Sequence, residues 1–344
     1  MTSTDSRPRT AVLHQFTGIG DLIWHVQYFK AVARQSRDGK VTVIAQRSTM
    51  ATSLLGHEPW VEAIIDHDHR PRRQEGRKAE HGGLLGMWRM ARQLRACNFD
   101  RIVLFSGRNS RGVLAAMTGI PIRLGYGYRW LQRACLTQGP FIRPYRGPAV
   151  AVLKEVSAFS IAHGFCDEPL KPQIDVLPQD VRTMASRLEH LPRPAVAMAI
   201  GSSEAHKQWG SGNFAQLAER LARLGHGVII LGGPSEEALA RSIVDSLPLA
   251  LHPVVHAITD ASVLGSAAAL SLCDACIGND TGMISMAAAV GCPTWVLLGP
   301  RPALDHDPLI KSIQSASLSD ITVDDVVASF APLPRAGRSS PVAP

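Results

Sequence analysis

Short apolar runs alternate along the chain with amphipathic stretches of helical spacing. In the first half, residues 11–16, 41–45, 61–65, 101–105 and 122–125 are apolar runs of strand length. Residues 18–35 and 108–117 carry helical spacing, as do 84–97, where Leu85, Trp88 and Leu94 are placed on one side. The second half repeats the alternation, with strands expected at 195–200, 227–231, 253–256, 275–277 and 294–298. Helices are expected between them at about 211–224, 235–247, 261–272 and 282–290. Strands separated by helices predict parallel sheets covered on both faces. Pro169, Pro172, Pro178, Pro192 and Pro194 mark a join within 165–194. The expected architecture is α/β, with two Rossmann-like doubly wound domains (1–170 and 171–332) facing each other across a cleft. The Pro/Ser-rich tail, 333–344, is expected to be disordered.

The 344 residues suffice for two cores, and 45% apolar with 19% charged residues is a globular composition. No apolar run reaches the ~18–20 residues of a membrane-spanning helix. The first ten residues lack an apolar core, so no secretory signal is expected. Six scattered cysteines suggest free thiols in a reducing cytoplasm. Cys273 and Cys276 have CxxC spacing but sit in a strand approach without a second pair, which disfavours zinc or redox work. The thirteen histidines include no HExxH pattern, and no metal site is expected.

Charge is unevenly placed. Residues 1–170 carry 24 Lys/Arg against 13 Asp/Glu, and the remainder 12 against 16. A basic first half implies an anionic partner there. Nucleic acid, a phosphorylated glycolipid and an acidic membrane surface would each fit the charge, but no nucleic-acid-binding module is recognisable.

Candidate chemistry follows the strands. Residues 276–300, CIGNDTGMISMAAAVGCPTWVLLGP, read as strand, polar turn, small-residue helix and strand. Asp280, Thr281 and Gly282 stand at the helix mouth, where unpaired N–H groups favour an anion. The same pattern also suits a plain helix cap. Gly18-Ile19-Gly20-Asp21 is not a GxGxxG fingerprint, since Ile23 takes the third position after Gly20. Asp21 is instead a candidate general base or a capping residue. Ser202, Ser203 and Lys207 can hold a diphosphate, and the run lacks the Walker pattern. Glu236, in Gly232-Gly233-Pro234-Ser235-Glu236-Glu237, can accept hydrogen bonds from a ribose or base, or simply open a helix. Arg108 and Arg111, with Arg70, Arg72 and Arg73, can form an anion-receiving face; the run at 70–78 also fits a solvated loop.

Taken in order, residues 18–35, 201–221 with 228–237, and 276–300 resemble the family 9 glycosyltransferases, the ADP-heptose:lipopolysaccharide heptosyltransferases. Residues 99–127 and 321–330 resemble the same family, so the likeness runs from about 10 to 330. The resemblance implies a GT-B fold, with the acceptor in the N-terminal domain and a nucleotide-sugar in the C-terminal one. It implies inverting, metal-independent sugar transfer, without a cofactor, onto a lipopolysaccharide-core or other cell-envelope glycan at the cytoplasmic membrane face. Asp21 maps to the family's catalytic aspartate. Ser202, Ser203, Lys207, Asp280, Thr281 and Gly282 map to its diphosphate contacts, and Glu236 to its nucleoside contact. The chain departs from the family at Ser285, where a donor-contacting histidine is usual, and at Gln27, where proline is usual. The competing functions are a nucleotide-sugar epimerase of similar fold and a non-catalytic family member that binds nucleotide or glycan.

Overall fold

The computed structural model describes residues 5–70, 76–202, 204–304 and 307–329. The chain forms two compact units, one ending at Ile174 and the other starting at Asp175.

The first unit holds a five-stranded sheet: β1 (Thr10–His14), β2 (Val41–Ala45), β3 (Val61–Asp66), β4 (Arg101–Phe105) and β5 (Ile122–Gly125). Its order is β3-β2-β1-β4-β5, and all four pairings are parallel. β1, β2 and β4 are buried at every position, which is why they read as continuous apolar runs. The helices are α1 (Ile19–Arg34), α2 (Ala51–Leu55), α3 (Gly83–Ala96), α4 (Asn109–Thr118), α5 (Trp130–Cys135) and α6 (Ala151–Ala162). Met90, Ala91 and Leu94 of α3 pack with Leu13, Ile102, Leu104 and Leu114 in one core.

That packing corrects the expected face of α3. Its buried stripe is Gly86, Met90, Ala91 and Leu94. Leu85 and Trp88 lie on the other side, 74% and 51% exposed. Gly86 and Ala91 are small, so the true core stripe carries a weak hydrophobic signal beside two large exposed side chains.

The second unit holds a six-stranded parallel sheet, ordered β11-β10-β9-β6-β7-β8. Its elements run α7 (Pro178–Leu188), β6 (Ala195–Ala199), α8 (Ser211–Arg223), β7 (Gly227–Leu231), α9 (Glu237–Asp245) and β8 (Val255–Ile258). They continue with α10 (Val263–Ser271), β9 (Ala275–Asn279), α11 (Gly282–Ala289), β10 (Thr294–Leu298), β11 (Ile310–Gln314) and α12 (Val323–Ser329). The strand expected at 253–256 begins later, because Leu249–Val254 form a 3-10 turn containing Pro253. Proline has no N–H to give a sheet ladder.

Both strand orders reverse at one point. In the first unit this falls between β1 and β4, and in the second between β6 and β9. The connections leaving the carboxyl ends of those strands run to opposite sides and open a crevice, the usual ligand position in such sheets. Among the described residues no helix is long and apolar enough to cross a membrane.

Close approach of β6 and β9 demands Gly278, since a Cβ there would lie 2.2 Å from the Ala199 carbonyl oxygen. Gly278→Ala should therefore destabilise the second unit by about 1–3 kcal/mol, the usual cost of overpacking. Urea denaturation checks this, and an unchanged midpoint would contradict the packing.

Candidate active site

At the β6/β9 reversal, two chain segments are joined by one buried amide. Asn279 ends β9 and is fully buried. Its Oδ1 accepts from the Trp209 backbone N–H at 3.0 Å, and its Nδ2 donates to the Ile200 carbonyl at 2.8 Å. The Trp209 indole N–H in turn donates to the Ile321 carbonyl at 2.7 Å. The loop after β6, with Ser202 and Lys207, is thus fixed at both ends beside the mouth of α11.

Thr281 is the N-cap of α11 and has extended backbone, but its side chain makes no capping bond. The first N–H groups of α11 therefore lack the side-chain cap that a plain N-cap would supply, and the helix end keeps its affinity for negative charge. Lys207 Nζ lies 2.8 Å from Glu204 Oε2 and 3.7 Å from Asp280 Oδ2. The Arg301 guanidinium also pairs with Asp280. Asp280 thus holds two cations at the helix mouth, and Lys207 holds the Glu204 carboxyl below its usual range.

Ser202 Oγ donates to the Glu204 carbonyl at 2.9 Å, so its hydroxyl is committed to its own loop. Glu236 accepts from the Gly233 N–H at 2.8 Å and from Ser235 Oγ at 2.7 Å. It lies against the carboxyl end of β6, where a Cβ on Gly201 would be 3.3 Å from its carboxyl carbon. Ser202, Lys207, Glu236, Asp280, Thr281 and Gly282 therefore gather at the carboxyl ends of β6, β7 and β9. Ser285 is 4% exposed, one turn into α11. Ser203 lies outside the described residues. Glu204, Asn279 and Arg301 were not legible as site residues. The one available signal for Arg301 was a cation directly after a strand and a Gly-Pro turn.

In the first unit Asp21 is the third residue of α1, and Gly18, not Asp21, is the N-cap. The Asp21 carboxylate folds back toward the cap, since a Cβ on Gly18 would lie 2.8 Å from its Oδ2. Under it sits a buried histidine pair. His25 Nδ1 is 2.6 Å from the Asp21 carbonyl oxygen, which can only accept, so Nδ1 carries the proton. His14, at the end of β1, meets His25 edge-on at 4.8 Å between ring centroids. Neither His14 nitrogen has a hydrogen-bond partner among the described residues. Burial holds both rings neutral, His25 down to about 4 and His14 well below its usual value.

Arg108 and Arg111 follow β4 at the same reversal. Arg108 is exposed, whereas Arg111 is only 6% exposed and its Nε is unpartnered among the described residues. Burial, then the neighbouring Arg108 charge, brings Arg111 down to about 10. His67 and His69, after β3, feel the same cation: burial and then Arg111 lower them to about 2 and about 4. Sequence reading missed both histidines, because only the sheet order brings them near Arg111. Arg70 is exposed, and its carbonyl accepts from Gln46 Nε2 at 2.8 Å. Arg72 and Arg73 lie outside the described residues, as does the tail at 333–344. Arg77, itself exposed, pairs with buried Asp68.

Among the described residues no group of three or more His, Cys, Asp or Glu is placed to hold a metal. His252 and His256 have HxxxH spacing, but one lies in a 3-10 turn and the other in β8. Cys273 and Cys276 are buried free thiols, and burial pushes the Cys276 thiol far up.

Two doubly wound parallel sheets, each with polar residues gathered at its reversal point, define the GT-B fold class. The model of glycosyltransferase family 9 (heptosyltransferase) matches residues 87–325, and the chain belongs to that family. A lipooligosaccharide heptosyltransferase 2 of Haemophilus influenzae is 29% identical over 158 residues, 42% of this chain. The match spans about half of that curated relative, 46%. The solved family 9 glycosyl transferase of Veillonella parvula has a TM-score of 0.75 at 18% identity, covering 96% of this chain and 98% of its own. The E. coli ADP-heptose LPS heptosyltransferase II gives 0.72 at 18% identity, over 94% and 98%.

The histidine pair makes a signed prediction. Below pH ~6.5 the unfolded chain protonates histidines that the folded chain keeps neutral, so stability falls with pH until the folded value is reached. For His25, held near 4, the loss between pH 6.5 and 4 is about 3 kcal/mol. Thermal unfolding across that range should show a shallower fall for His25→Phe than for the wild type. Parallel falls would contradict a buried neutral ring.

Proposed function

We propose that this chain transfers a sugar, heptose from ADP-heptose, onto an anionic cell-envelope glycan of the lipopolysaccharide-core type, with inversion and without a metal. The observation that carries the reading is the meeting of Lys207 and Arg301 on Asp280 at the mouth of α11. Two cations and a helix N-terminus are what a departing nucleoside diphosphate requires. ADP-heptose is carried over from the E. coli relative, an ADP-heptose LPS heptosyltransferase, and from family membership.

In the proposed reaction, Asp21 takes the proton of the acceptor hydroxyl, and that oxygen attacks the anomeric carbon from the face opposite the diphosphate. The bond from the anomeric carbon to the diphosphate oxygen breaks, and the electron pair leaves with ADP. Lys207, Arg301, Ser203, Thr281 and the α11 N–H groups receive the new negative charge, joined by Ser202 once its hydroxyl turns from the Glu204 carbonyl, while Glu236 holds the nucleoside. Residues 171–332 form the donor domain and 1–170 the acceptor domain. Arg70, Arg72, Arg73, Arg108 and Arg111 are the proposed partners of the acceptor's anionic groups. Buried Arg111 is the strongest of these, because low dielectric sharpens its attraction. Ser285 contributes through helix packing in place of a charged donor contact. The setting is the cytoplasmic face of the membrane, where a lipid-linked acceptor is presented.

Asp21→Ala should lower kcat by about 10²–10⁴-fold, the usual weight of general-base catalysis, and leave the nucleotide-sugar Kd unchanged. Product formation by mass spectrometry and donor titration measure the two separately, and full activity in Asp21→Ala would sink the assignment. A parallel incubation of donor without acceptor separates transfer from epimerisation, since an epimerase converts the donor alone.

A further inference from the structure

α3 exposes an apolar stripe backed by cations. Leu84, Leu85 and Trp88 are 83%, 74% and 51% exposed, on the side opposite the buried Met90 and Leu94. Arg89 and Arg92 continue the exposed side, and the Arg92 guanidinium sits 5.6 Å from the centre of the Trp88 ring. The other large exposed apolar side chains of the first unit, among the described residues, are Met50, Trp130, Phe141 and Ile161. Between Glu80 and Glu155 eleven arginines and one lysine face a single carboxylate, Asp100. Asp100 is already paired with Arg37.

Topology sets where this stripe lies. α3 follows β3, so its first turns start at the carboxyl edge of the sheet, the edge that carries Asp21, His67, Arg108 and Arg111. α4 packs between α3 and α5. α5 starts at the same edge with exposed Arg129 and Trp130, the latter 78% exposed. Leu84, Leu85 and Trp88 on α3, with Arg129 and Trp130 at the start of α5, bring to this edge apolar area, indole rings suited to a wet–apolar boundary, and positive charge.

We infer that the starts of α3 and α5 dock the first unit on an anionic lipid bilayer surface. Leu84, Leu85, Trp88 and Trp130 enter the headgroup boundary while Arg89, Arg92 and Arg129 meet lipid phosphates. Charge complementarity selects this occupant over a second copy of the chain, which would bring the same cations face to face. The inference deepens the proposed function by giving a lipid-linked acceptor a place to be presented, at the edge that holds Asp21.

Vesicle sedimentation tests it with the full chain, on phosphatidylcholine alone and with about 30% phosphatidylglycerol. The wild type should bind the anionic vesicles, release with rising salt, and ignore the neutral ones. Arg89→Gln/Arg92→Gln should weaken binding about 30-fold, on roughly 1 kcal/mol per cation. Leu84→Ser/Leu85→Ser should weaken it at least ~10-fold, since apolar burial adds to the charge term. All these side chains are exposed, so thermal unfolding should be unchanged in each variant. No binding by the wild type, or equal binding by the variants, overturns the inference. So does a loss confined to self-association in analytical ultracentrifugation. The vesicles carry neither acceptor nor nucleotide-sugar, so failure here leaves the transfer reading standing. Conversely, an Asp21→Ala protein that loses transfer should still bind them.

Discussion

The polar mouth of α11 depends on the buried side-chain amide of Asn279. It closes the crevice where the strand order reverses, bonding the start of the β6 loop through Ile200 and its end through Trp209. Without it, a buried N–H and a buried carbonyl would lose their partner, and each unpaired group costs about 1–3 kcal/mol. Because both ends of the loop are held, Lys207 is delivered beside Asp280 instead of sampling solvent. Asp280 then fixes Arg301 from the other flank. Three separate stretches of sequence (the β6 loop, β9 running on into α11, and the turn after β10) thereby meet at one mouth.

The first unit rests on a different constraint. It buries polar groups near the carboxyl ends of its strands, and among the described residues several have no hydrogen-bond partner: both His14 nitrogens, His67 Nδ1 and Arg111 Nε. Burying such groups costs stability unless something compensates. Burial keeps the histidines neutral, which spares the surrounding charge for Arg108 and Arg111. The histidine pair beneath Asp21 adds an apolar, aromatic floor of Phe16, Phe29 and Phe105 against the first turns of α1.

Much of the fold was legible because parallel strands are buried on both faces, so β1, β2, β4, β6, β7, β9 and β10 announce themselves as apolar runs. β11 did not, since an edge strand buried only at Ile310, IKSIQ, carries little hydrophobic signal. α3 was legible as a helix but not by face: periodicity locates a stripe, yet Gly86 and Ala91 on the true core side look weaker than Leu85 and Trp88. Asp21, Lys207, Asp280 and Thr281 stood out because each follows a strand. Glu204, Arg301, His67 and His69 did not, because their roles come from neighbours supplied by distant segments. Ser285 was marked by family likeness alone, and it is buried one turn into α11.

The account turns on diphosphate recognition at the mouth of α11. Calorimetric titration of ADP and AMP against the wild type and Lys207→Ala tests it most directly. The wild type should bind ADP at least ~10-fold more tightly than AMP, and Lys207→Ala should lose most of that advantage, since a charge-assisted contact is worth about 1.5–3 kcal/mol. Equal affinity for ADP and AMP, or an advantage untouched by Lys207→Ala, would contradict it.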